Sequence, residues 1–197
     1  PGHPGKPPRL AIYTAPYSVP GDEAVTLAVK YAGIPHTPIW DDQVEHGELA
    51  KYDWIHLFHE DFTGQLNKFY ISYRGAPWFV EQQDRQLATA RALGFPNIPA
   101  LKKDVAEHLR QYVQNGGFLF AMCGATETLE LAIAGEHVDI ASVFADGTPM
   151  DPHADEKMDW TRTFAFRDAH VEPSPYVTPV ADIHGHPATV PRSRQPV

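Results

Sequence analysis

Three scarcities bound what this chain can be. It has a single cysteine, Cys123, so no disulfide forms within it and its redox compartment is left open. It has no apolar run of the length of a bilayer span and no signal-peptide pattern. It is poor in basic residues: 16 Lys and Arg stand against 25 Asp and Glu, for a net charge of −9, with no basic run. Neither nucleic acid nor an anionic membrane is therefore an expected partner, and no membrane insertion is expected. The 197 residues suffice for one domain with a core of its own, over residues 9–186. Residues 1–8 read as a linker cut from something longer, and residues 187–197 as a proline-rich tail.

The order of apolar runs and turn residues predicts an α/β domain. Arg9 to Thr14 reads as the first strand, bounded by prolines. Ala24 to Ala32 has apolar residues at helical spacing before Gly33. Thr37 to Trp40 reads as an edge strand because of Pro38, followed by a polar helix or loop from Asp41 to Lys51 and a third strand from Tyr52 to Phe58. Residues 59–79 form a long aromatic insertion, expected as a lid, binding loop or interface. Helices follow at Val80 to Leu93 and Ala100 to Gln114, the latter with Leu101, Val105, Leu109, Tyr112 and Val113 on one face. Phe118 to Met122 is the next strand and Thr126 to Ala134 the helix behind it. Further strands are read at Val138 to Ala141, Thr161 to Phe166 and Tyr176 to Ile183, with an acidic loop from Asp146 to Asp159 between them. Alternating strands and helices give a flavodoxin-like three-layer sandwich with a mostly parallel sheet.

The chain is organised around Asn115 to Leu129. Two glycines end a helix, an apolar strand follows, and Cys123 stands where the next helix begins. A side chain at such a turn is lifted off the sheet, and the free N–H groups of the helix start, that of Gly124 among them, can lower a thiol pKa or hold an oxyanion. In a parallel sheet the ligand site lies at the carboxyl ends of the strands. The turn after strand one, the loop from His59 and Cys123 meet there.

The Gly-Gly, apolar strand, Cys and helix arrangement of residues 116–134 resembles the nucleophile elbow of class I glutamine amidotransferase-like domains, the PfpI-type and ThuA-like branches. Tyr52 to Gly64, Tyr73 to Trp78 and Phe118 to Cys123 are similar to a bacterial family often labelled "asparagine synthetase B". The likeness spans roughly residues 9–185. It implies a cysteine-dependent hydrolase acting on an amide or related carbonyl, and export to the periplasm or beyond. It also implies further roles: Glu23 as acidic partner of the thiol, Gly64 as second oxyanion donor, and His170-Val171-Glu172 as the catalytic His-x-Glu. Where the family's elbow reads Gly-x-Cys-x-Gly, this chain has Ala121 and Ala125.

The residues themselves leave alternatives. His59 serves as base or orienter for Cys123 with Glu60 fixing its tautomer, or His59, Glu60 and Asp61 hold a metal, or the cluster is a capping network. His56 reads as a hydrogen-bonded sheet residue. Arg74 clamps a carboxylate or stacks on aromatics. Asp146, Asp151, Asp155, Glu156 and Asp159 lack EF-hand spacing for calcium. No metal or cofactor is expected. The rival reading of the whole is a binding or structural module of the same fold, part of a larger exported protein or assembly. The aromatic insertion and proline-rich ends then dock neighbouring chains, a second copy or a glycan.

Overall fold

Four short apolar stretches become the sheet. In a computed structural model, which describes residues 7–17 and 24–184, β1 is Leu10–Tyr13, β2 His36–Ile39, β3 Trp54–Leu57 and β4 Phe118–Ala121. All pair in parallel in the order β2-β1-β3-β4. β1 is central and wholly buried, whereas Pro38 keeps β2 at an edge. Parallel neighbours need crossovers. These are α1 (Ala24–Tyr31), then α2 (Asp41–Glu45) with a 3₁₀ turn at Glu48–Lys51, then α3 (Tyr70–Tyr73), α4 (Pro77–Ala92) and α5 (Ile98–Gln114). After β4 come α6 (Gly124–Ala134), α7 (Val143–Asp146) and α8 (Ala154–Lys157). The result is an α/β protein with a four-stranded all-parallel sheet, compatible with a flavodoxin-like sandwich.

One face of the sheet carries the main core. Ala11, Tyr13, Ile55 and Leu57 meet Val44 of α2, Leu101, Val105 and Leu109 of α5, and Leu129 and Ile133 of α6. The α5 stripe is the one its 3.6-residue period predicts, and each of its fully buried aliphatic side chains contributes about 1.5–3 kcal/mol. Asn97 starts this helix by accepting the Ala100 N–H at 2.8 Å. On the opposite face Trp54 meets Phe118, and His56 stacks on Phe120 with 5.4 Å between ring centroids. His56 is buried with no partner at Nε2 among the described residues, so it is held there by stacking, and burial lowers its pKa. This face is lightly covered: α1 buries none of its residues, and Phe118 and Phe120 remain about half exposed.

The insertion at 59–79 is not a bare loop. It contains a 3₁₀ turn at Leu66–Lys68, α3 and the first turn of α4, and Leu66, Tyr70 and Phe79 form a small core of their own.

The last third corrects the sequence reading. None of the three expected strands forms; among the described residues only one antiparallel bridge, Val171 with Ala181, is present there. The backbone groups go to buried carboxylates of α6 instead. Glu130 accepts the N–H groups of Phe164 (3.0 Å) and Ala165 (3.4 Å). Glu127 accepts those of Val180 (3.1 Å) and Ala181 (2.7 Å). Buried Lys68 donates to the carbonyls of Glu172, Ser174 and Pro179. Val138, Ile140, Met158, Val171 and Val180 close a second core around Leu131 and Ala134.

Candidate functional site

The path from β1 goes to one side for β2 and returns to the other side for β3, a reversal that opens a crevice at the carboxyl ends of these strands. There the structure has a cleft of about 600 Å³. Ala15 and Tyr17 come to it from the end of β1, Trp40 from the end of β2, His59, Glu60 and Asp61 from the end of β3, and Trp78, Glu81, Gln82, Arg85 and Gln86 from α4.

Lys102 of α5 supplies the floor. Its ammonium, 2% exposed, donates to Asp41 Oδ1 at 2.8 Å and to the Tyr13 hydroxyl at 2.9 Å, and lies 3.8 Å from the centre of the Trp40 ring. The Tyr13 hydroxyl in turn donates to Asp41 Oδ1. Burial first, then the adjoining Asp41 carboxylate, push the Tyr13 phenol far above its ordinary pKa, so it stays neutral and acts as a donor. Asp41 Oδ2 is buried with no partner among the described residues. A lysine among the apolar positions of α5 was the available sequence signal for this floor. Nearer the mouth, Arg85 pairs with Glu81 at 2.6 Å and lies over the Tyr17 ring. Burial raises the Tyr17 phenol to about 12. Sequence reasoning placed the turn that carries Tyr17 at the site and missed the other residues.

The loop after β3 is fixed by its own acids. Glu60, buried, accepts the Phe58 N–H at 2.8 Å, and its carbonyl accepts from Thr128 of α6 at 2.7 Å. Asp61 accepts the N–H groups of Thr63 (2.9 Å) and Asn67 (2.7 Å) and the Thr63 hydroxyl. These carboxylates organise the loop through hydrogen bonds to its own N–H groups. His59 is exposed at its crest, edge-on to Phe58. Gly64 has a different task from the expected one. Its N–H donates to the Asp61 carbonyl at 3.1 Å. At its φ of +72° a Cβ would stand 2.6 Å from the Pro99 backbone, so its lack of a side chain lets the loop press against the start of α5.

Cys123 lies just beyond β4, exposed, at the N-cap of α6 with φ 55° and ψ −139°. Its carbonyl accepts from the Thr126 N–H (3.2 Å) and hydroxyl (2.6 Å). No hydrogen bond to its sulfur is present among the described residues, and it does not line the cleft. The next residue, Gly124, faces the His59 carbonyl, which a Cβ would approach to 3.6 Å. The loop after β3 and the turn from β4 into α6 therefore lie side by side here.

Other expected site residues lie apart. His170 is exposed; its Nδ1 is 3.2 Å from Asp155 Oδ2 and its N–H donates to Asp182. Glu172 accepts the Ser174 N–H. Both belong to the C-terminal wrap. Arg74 is exposed at the end of α3. Glu23 lies outside the described residues. The acidic stretch is spent on local contacts: Asp146 with Thr148, Asp151 with Lys157, Asp155 with His170, and Asp159 with Thr161.

Compared with family models, curated proteins and solved structures, the chain matches none. Among the described residues, no helix is long and apolar enough to cross a membrane.

Proposed function

We propose that this chain is a glutamine amidotransferase-like domain with cysteine-dependent hydrolase chemistry, Cys123 being the nucleophile. One observation carries the reading: the positive φ of Cys123 where β4 runs into α6. Holding a non-glycine residue in that region costs about 1–3 kcal/mol, and such strain gathers where a side chain must be held in place. The turn is then a nucleophile elbow, with the first free N–H groups of α6 beside the thiol.

The Cys123 thiolate attacks the carbonyl carbon of an amide, and the displaced electron pair moves to oxygen, where N–H groups at the helix start, that of Gly124 included, hold it. Collapse breaks the C–N bond, and the amine leaves with a proton from His59. Water, giving its proton to His59, then attacks the thioester and releases a carboxylic acid and the thiol. Glu60 and Asp61 hold the loop that carries His59, and the contact of that loop with Gly124 supports the assignment.

The second reading, a binding module without chemistry, is favoured by the separation of Cys123 from the cleft. In that reading Trp40, Trp78, Tyr17 and Arg85 take a ligand or neighbouring chain, and the thiol is a bystander.

Iodoacetamide labelling against pH separates the two. Alkylation with a midpoint well below the ordinary thiol range near 8.5, lost in Cys123→Ser and shifted in His59→Gln, supports the enzyme. A midpoint at or above that range with no effect of His59→Gln sinks it and leaves the module.

A further inference from the structure

We infer that Glu45, Asp104 and His108 form a binding site for a divalent first-row cation of intermediate hardness, such as Zn²⁺, which clamps α2 to α5 outside the cleft. Asp104 and His108 stand one turn apart on α5, so both project from one face of that helix. Glu45 is the last residue of α2, which has no basic residue in its final turn. The three side chains bring one ligand atom each to within 4.8 Å of one another. Among the described residues they are the group of this kind.

The spacing suits a metal. His108 Nε2 is 3.5 Å from Asp104 Oδ2 and 3.8 Å from Glu45 Oε2. Two ligands of a tetrahedral ion with bonds of about 2.1 Å are separated by roughly 3.4 Å, so small side-chain rotations would close the site. Neither separation from the imidazole is a hydrogen bond as it stands.

A second observation comes from the buried acid. The Glu45 side chain is only 10% exposed and its Oε2 faces the imidazole, while its Oε1 has no hydrogen-bond partner among the described residues. Burying a carboxylate oxygen with nothing to satisfy it is costly. No lysine or arginine pairs with Glu45 or Asp104 among the described residues; His108 is the one basic group at ion-pair distance from either. One imidazole with two carboxylates favours Zn²⁺ or Mn²⁺ over the all-oxygen preference of Ca²⁺ and Mg²⁺. Three protein ligands leave a position for water, and the exposure of Asp104 puts that position at the surface.

The placement has a structural meaning. α2 is tied to α5 at its first residue by Asp41 and Lys102, and the cation would tie its last residue to the same helix. The first link is itself the floor of the cleft, and the second lies further along α5. The site does not depend on any role for Cys123.

The test is Zn²⁺ binding to the full chain by competition with a chromophoric chelator, repeated with Co²⁺ for its visible absorption. One equivalent should bind with a dissociation constant in the micromolar range or below, raising Tm and giving the intense bands of a four- or five-coordinate cobalt centre. Glu45→Gln and His108→Ala should each weaken binding by at least about tenfold, while circular dichroism shows both folded. His184→Ala with His186→Ala, which removes the histidines near the tail, should leave it intact. No stoichiometric binding, or binding unchanged in Glu45→Gln and His108→Ala, would overturn the proposal, as would loss of binding in the tail variant alone.

Discussion

The ammonium of Lys102 and the carboxylate of Asp41 meet at 2.8 Å with 2% and 0% of their side chains exposed. They join α5 to the start of α2 in the middle of the core that also holds Tyr13 and Trp40. A buried pair of this kind gains little over an apolar replacement, but breaking it on one side leaves an uncompensated charge.

Lys102→Met should therefore destabilise the protein by about 3–5 kcal/mol. Adding Asp41→Asn to the same chain should recover part of that loss, because the remaining group is then neutral. Urea unfolding of the two variants checks the order; a double variant no more stable than Lys102→Met would mean that the cost is packing and not charge.

Cys123→Gly should stabilise the fold by about 1 kcal/mol, since glycine occupies a positive φ without the strain borne by Cys123. Cys123→Ala keeps the Cβ and should leave Tm nearly unchanged. Equal Tm values for the two variants would show that the backbone at this turn is not strained.

Gly64→Ala should be among the worst small substitutions in the chain. The added methyl carbon meets the Pro99 backbone at 2.6 Å and the φ is +72°, so both overpacking and backbone strain apply, at roughly 2–4 kcal/mol together. Gly47→Ala, where φ is also positive but no atom lies within 4 Å, is the control and should cost distinctly less on thermal unfolding.

Acid should loosen the outer face of α5. Glu107 accepts from Arg110 and Gln111 and pairs with Arg162. These contacts, Arg110 first, hold its carboxyl at about 2 against an ordinary 4.5. A depressed carboxylate pKa means that the unfolded chain binds the proton more readily. The stabilisation is thus fully present above about pH 4.5 and is lost as pH falls toward 2. Unfolding free energy measured across that window should fall less steeply in Glu107→Gln than in the parent chain.

The strands and α5 were legible because their signals are local. Leu10 to Tyr13 is a short apolar run, and Leu101, Val105 and Leu109 recur at the helical period. The C-terminal third misled because alternation reports a half-buried segment and not who accepts its N–H groups. Thr161 to Phe166 alternates as a strand would, yet Glu130 takes the N–H groups of Phe164 and Ala165. Nothing local marks Glu127 and Glu130 as buried, since acidic residues on a helix usually face water. The candidate site was legible by half. The meeting of the β3 loop with the strand-to-helix turn at Cys123 follows from parallel topology, but the cleft floor depends on Lys102 and Asp41, 61 residues apart. His170-Val171-Glu172 was singled out by its motif alone, and the wrap that contains it binds Asp155 and Lys68.

The grip of α6 and Lys68 on the C-terminal segment also dictates an order of events at the ribosome. The contacts of Glu127 with Ala181 and of Lys68 with Pro179 join residues 54 and 111 positions apart, so they cannot form until nearly the whole domain has been synthesised. Val171, Val180 and Ala181 also belong to the second core around Leu131, so that core closes late. Long-range closure of this kind slows folding.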